Sequence, residues 1–153
     1  MTWRRRSLPL MLFVLAGTLC PLGLAADIRV RVINTQTGKP MAGQGVGLRP
    51  YRPPGDYLVT WTGKKTGPDG VAVFNLSDPA PQWVNLVVLS GMMLWNCSPM
   101  ENNTFSLAEI LEHGVVAKNR CESKATRKAK ITATAGEVIL FTRPLHWWEK
   151  AQW

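Results

Sequence analysis

A chain of 153 residues with 18 Lys and Arg against 10 Asp and Glu has room for one domain with a real core, and its length argues against two. Beyond the first two dozen residues no stretch is long and apolar enough to span a bilayer. With only two histidines, His113 and His146, the chain offers few candidates for general-base catalysis.

The first segment reads as a removable leader. Met1–Arg6 is basic, with Arg4, Arg5 and Arg6, and Leu8–Leu19 (LPLMLFVLAGTL) is an apolar run of signal-peptide size. Gly23 and Ala25 place small residues at the −3 and −1 sites, so cleavage is expected after Ala25, with Ala26 the second choice. Arg5-Arg6 is an incomplete twin-arginine pattern, and the bulky Leu19 before Cys20 argues against lipidation. The expectation is an exported protein, periplasmic or extracellular. Losing Arg4–Arg6 leaves 15 basic residues against 10 acidic ones, a net charge of +5.

The remainder begins as β structure. Asp27–Asn34 (DIRVRVIN) alternates Ile28, Val30 and Val32 with Arg29 and Arg31, the pattern of a half-buried strand. Thr35–Pro40 is turn chemistry. Gly45–Arg49 predicts a strand with Val46 and Leu48 inward, and Pro50–Gly55 a loop, since Pro53-Pro54 cannot sit in a central strand. Tyr57–Thr62 is expected to be a strand, Lys64–Gly70 a turn, and Val71–Leu76 a strand with Ala72, Phe74 and Leu76 inward. Trp83–Leu89 is the most apolar strand. Short strands at this spacing, broken by Gly and Pro, argue a β-sandwich.

One helix is expected over 105–114 (FSLAEILEHG). Ser106 and Glu109 have capping-box spacing, Gly114 is a stop, and Leu107, Ile110 and Leu111 form an apolar stripe. Cys97 and Cys121, which flank this helix, predict a disulfide in an oxidising compartment. Closing their loop is worth about 3.5 kcal/mol in the chain-entropy account. A metal or redox role is the weaker reading, because no CxxC spacing occurs. Val115–Ala117 has the makings of a short strand. Ile131–Thr134 and Glu137–Thr142 look like a closing hairpin around Ala135-Gly136, with Pro144 ending the last strand. The expected organisation is therefore a signal peptide at 1–25, a β-sandwich at 26–143 and an aromatic tail at 144–153.

Two segments together, TGKPMAGQGVGLRP (Thr37–Pro50) and TGPDGVAVFNL (Thr66–Leu76), resemble the carboxypeptidase regulatory-like, transthyretin-like β-sandwich superfamily. The resemblance spans about Ile28–Leu89 and implies an antiparallel Greek-key sandwich of the transthyretin (prealbumin) type, with one short helical insertion around 105–113. Gly67 stands where an Asp is common in that pattern. The fold carries many roles, so the resemblance says little about activity. Hydroxyisourate hydrolases on this fold end in Tyr-Arg-Gly-Ser; this chain ends in Lys150-Ala151-Gln152-Trp153, and that activity does not carry over. Intradiol dioxygenases bind iron through two Tyr and two His. Tyr51, Tyr57, His113 and His146 match that count, but the two histidines are 33 residues apart. An enzyme with such a site is the alternative expectation.

The main expectation is a non-catalytic binding or accessory module without metal or cofactor. No G-x-S-x-G, phosphate loop or dinucleotide fingerprint occurs. Asp56, Asp69 and Asp78 sit beside Gly or Pro as turn residues. Two surfaces qualify for binding. Lys118–Lys130 (KNRCESKATRKAK) carries six cations, Lys124, Arg127 and Lys128 among them, against Glu122 alone. It reads as a solvated loop with a field that attracts anionic surfaces. Nucleic acid is the least suitable partner, since export separates the two and no aromatic residue is interleaved with the charges. The tail, RPLHWWEKAQW, offers Arg143, His146, Trp147, Trp148 and Trp153. Adjacent Trp147 and Trp148 point to opposite sides of an extended chain, so one is expected to plug an open end of the sandwich. The other would serve as a platform for a glycan or protein partner.

Overall fold

The computed structural model describes residues 26–51, 61–89, 91, 94–99 and 103–150. The expected leader at 1–25, most of the strand expected at Tyr57–Thr62, and Trp153 lie outside the described residues.

Alternation makes β1 (Asp27–Asn34) a strand buried on one face: Ile28, Val30 and Val32 are fully enclosed while Arg29 and Arg31 face outward. It forms one sheet with β2 (Lys39–Pro40), β5 (Val71–Asn75), β7 (Leu94–Asn96), β9 (Val115–Val116) and β10 (Glu137–Pro144). In this sheet β1 and β10 are central; β5 and β2 share the far edge of β1, and β9 and β7 share the far edge of β10. The second sheet runs β4 (Thr62–Lys65), β3 (Gly45–Tyr51), β6 (Trp83–Leu89), β8 (Thr104–Ser106). Between them lies a core of Ile28, Val30, Val32, Phe74, Val138 and Leu140 from the first sheet against Val46, Leu48, Val84, Leu86 and Val88 from the second. Each such side chain contributes about 1.5–3 kcal/mol when fully enclosed. Lys64 on the edge strand β4 donates to the Val73 carbonyl oxygen at 2.6 Å, joining the edges of the two sheets and covering an otherwise open backbone acceptor.

The protein is thus mainly β with two stacked sheets, as the strand spacing predicts, but it is not wholly antiparallel. β1 and β10 pair in parallel over Arg29↔Glu137 to Asn34↔Thr142, and β9 also runs parallel to β10. The cause is a crossover. The expected hairpin partner Ile131–Thr134 is not a strand; it lies over the outer face of the first sheet, where Ile131 and Ala133 pack with Cys121 on Ile33, Cys97, Ile139 and Phe141. This third layer returns the chain to the start of β1, where Gly136 accepts from the Arg29 backbone N–H at 2.8 Å, and β10 then follows β1 in the same direction.

Among the described residues, three helices replace the single one expected. α1 (Leu107–His113) buries Leu107 and Ile110 in the main core, whereas Leu111 remains exposed. It begins later than its sequence pattern suggests, because Thr104–Ser106 is taken up as β8 against β6. The expected capping box does not form at Ser106, whose side chain makes no cap hydrogen bond. Gly114 does end the helix, at φ 73°. α2 (Lys124–Ala129) lies where a basic loop was expected, and α3 (Trp147–Lys150) is a single turn in the tail. The expected turn at Lys64–Gly70 is also shorter, since Lys64 and Lys65 belong to β4. No helix among the described residues is long and apolar enough to cross a membrane.

Candidate binding surface

β10 alternates like β1. Val138 and Leu140 point into the main core, and Ile139 and Phe141 into the outer layer. Arg143, two residues further, therefore projects on the outer side, where its register partner on β7 is Trp95. Its guanidinium lies 5.6 Å from the Trp95 ring centre, within cation–π range.

Past Pro144 the chain turns Leu145 inward, where it is 7% exposed, and that single anchor sets the tail's geometry. The His146 backbone N–H donates to Glu149 Oε2 at 2.7 Å, and the His146 carbonyl accepts from the Glu149 and Lys150 N–H groups. Glu149 is drawn back over Arg143, which grips both carboxylate oxygens at 2.6 and 2.7 Å. Such a two-pronged pair is both strong and directional. The Arg143 hydrogen bonds, followed by the His146 N–H, hold the Glu149 carboxyl down at about 2, and Glu149 in turn raises Arg143 above its ordinary value.

The clasp displays three indoles. Trp147 is 78% exposed, Trp148 50% and Trp95 47%. The His146 ring stacks on Trp148 at 4.3 Å and 3°, and Trp147 stands at right angles to Trp148 at 5.7 Å. The expectation that Trp147 or Trp148 plugs the sandwich is thus overturned: Leu145 takes the inward position, and both indoles face solvent. Trp95 was not among the expected residues. No local pattern marks it, since only the β7–β10 register brings it beside Arg143.

Within the basic segment, residues 124–129 form a docked helix while residues 118–123 remain a loop. Ser123 caps α2, accepting from the Ala125 and Thr126 N–H groups, and Thr126 answers through its own hydroxyl. The Ser123 hydroxyl also donates to the Thr35 carbonyl, and the turn at Gly38 packs against Ala125 and Ala129. Cys97 and Cys121 form the expected disulfide, with Cα atoms 5.4 Å apart, and tie this layer to the sheet. Lys124, Arg127 and Lys128 are left exposed, with Arg127 at 3.7 Å from Glu122.

The residues considered for catalysis are dispersed among different elements. His113 ends α1 with a side chain 70% exposed, beside Glu112. His146 belongs to the indole cluster, Tyr51 ends β3, and Tyr57 is outside the described residues. Asp69 accepts from the Val71 N–H as a turn residue. Among the described residues no three of His, Cys, Asp and Glu are grouped to hold a metal ion. An open apolar groove of about 460 Å³ runs beside α1, lined by Pro81, Trp83, Leu107 and Leu111 among others. Compared with known proteins, the chain matches no protein-family model and no curated protein sequence.

Proposed function

We propose that this protein is an exported, non-catalytic binding module that holds a glycan against the indole surface of Trp95, Trp147 and Trp148. The observation that carries this reading is the clasp: Arg143 and Glu149 fix a tail whose tryptophans would otherwise gain by burial, and they fix it with the rings outward. Flat, exposed indole faces stack on the apolar faces of sugar rings, and the neighbouring polar groups of His146 and Arg143 suit hydroxyls. The Cys97–Cys121 disulfide is compatible with an oxidising, exported location. Within this proposal the sandwich is of the Greek-key, transthyretin-like type, as the resemblance over Thr37–Pro50 and Thr66–Leu76 suggests. The leader would be removed after Ala25.

Tryptophan fluorescence tests the binding reading. Titration with a panel of soluble glycans should shift the emission, and Trp147→Ala or Trp148→Ala should abolish the shift. Recovery of a specific protein partner through an intact tail, with no glycan response, would replace the glycan reading with a protein-contact one. N-terminal sequencing of the exported protein checks the cleavage after Ala25.

A further inference from the structure

The parallel pairing of β1 and β10 has a spatial result that the sequence order hides. It sets the end of β1 beside the end of β10, with Asn34 opposite Thr142, so the two surfaces expected to be separate share one corner of the fold. The Thr35 N–H donates to the Thr142 carbonyl at 2.8 Å, and the Thr35 carbonyl accepts the Ser123 hydroxyl that caps α2. The Thr142 hydroxyl donates to the Trp95 carbonyl at 2.8 Å. Two residues from Trp95, Cys97 is bonded to Cys121, two residues before the α2 cap. Through Thr35 and Thr142, therefore, the root of the indole cluster and the start of the basic helix are built on the same outer side of the first sheet.

The charge at this corner is one-sided. Glu149 is held by Arg143, and Glu122 lies against Arg127. Lys118, Lys124, Lys128 and Lys130 are exposed and meet no carboxylate among the described residues. Spaced ammonium groups next to stacked indoles suit a polymer with flat carbon faces and regularly placed anions.

From this juxtaposition we infer that the ligand is an acidic polysaccharide, its sugar rings on Trp147, Trp148 and Trp95 and its carboxylate or sulfate groups on Lys124, Arg127 and Lys128. The inference rests on the glycan reading above and narrows it. An anionic bilayer fits less well. α2 carries no large apolar residue to insert beside its cations, and the indoles lie beside the charged Arg143 and Glu149 and beside His146.

The experiment is a fluorescence titration of the oxidised protein at low salt. Neutral dextran and xylan are set against carboxymethyl-dextran and polygalacturonate, with phosphatidylglycerol-containing vesicles as a third arm. The acidic polymers should bind at least about tenfold more tightly than the neutral ones and lose that advantage at high salt, as screened contacts do. The triple variant K124Q/R127Q/K128Q should bind acidic and neutral polymers alike, and Trp148→Ala should lose both. Equal affinity of the unaltered protein for acidic and neutral polymers overturns this inference while leaving the indole surface standing. Binding of neither polymer class overturns the glycan reading itself, and the inference with it. Tighter binding to vesicles than to any polymer overturns the inference in favour of a membrane surface.

Discussion

Replacing Gly114 by alanine should be among the most damaging single-methyl additions in the protein. Gly114 sits at φ 73° and ψ 161°, a backbone region essentially reserved for glycine and costing about 1–3 kcal/mol for other residues. A Cβ there would also fall 2.2 Å from the Thr134 carbonyl oxygen and 2.8 Å from its carbon. Both are backbone atoms, so no rotamer change relieves the clash; one segment must retreat by about 1 Å, and overpacking of this kind costs a further 1–3 kcal/mol or so. Thr134 is poorly placed to move, because its N–H and hydroxyl both donate to Glu137. The expected loss is about 4 kcal/mol. Gly136 is the control: its φ is 75°, yet the nearest atom to its added Cβ is the Asp27 carbonyl oxygen at 3.8 Å, so Gly136→Ala should cost only the left-handed strain of about 1–2 kcal/mol. Both variants restrict the unfolded chain equally, so the difference reports mainly the close approach of α1 to the outer layer. Urea unfolding followed by tryptophan fluorescence, with equal slopes, measures it. Losses equal within about 0.5 kcal/mol would refute the argument.

Three further outcomes follow from the same geometry. Reducing the Cys97–Cys121 bond, whose partners are 24 residues apart, should lower stability by about 3.5 kcal/mol and the melting temperature by about 10 °C; a melt unchanged by reductant would contradict this. The Glu149 carboxyl is held at about 2, below its ordinary 4.5. The clasp's stabilisation is therefore complete above about pH 4.5 and is lost as pH falls through about 2; the tail's tryptophan emission should hold to pH 3 and change below it, and a transition centred near 4.5 would count against the clasp. Arg31→Ala should destabilise more than Arg29→Ala, because it takes the cation from the Glu137 carboxylate, which is 1% exposed and keeps the Thr134 N–H and hydroxyl as donors. Arg29→Ala removes exposed hydrogen bonds to the neutral Thr134 hydroxyl and Ala135 carbonyl. Chemical denaturation of the two variants decides the order.

Much of the fold can be read from residue patterns. Period-two alternation marks β1, β3 and β5, high apolar content marks β6, and the buried set Ile28, Val30, Val32, Ala72, Phe74 and Leu76 agrees with the alternation. Cys97 and Cys121 pair as their compartment and count predict. What escapes the sequence is long-range. Ile131 and Ala133 alternate as a strand would, yet they serve a layer lying over the sheet, because β1 pairs in parallel with β10, the strand they were expected to join in a hairpin. α2 is hidden for a local reason: its capping box uses Thr126 in place of the usual Glu or Gln, and its six residues are mostly charged or small. At the surface, Arg143, Trp147 and Trp148 are legible as residue types. Their exposure is not, because it depends on the inward turn of Leu145 and the grip on Glu149. Trp95 joins them only through strand register.

The shared direction of β1 and β10 also has a mechanical side. Asp27 and Pro144 stand at opposite poles of the sheet, separated by about 30 Å at the usual rise per strand residue. A tension applied between those poles would slide two adjacent strands lengthwise past one another. The six register pairs from Arg29↔Glu137 to Asn34↔Thr142 would then resist in concert, as rungs sheared together rather than peeled one at a time.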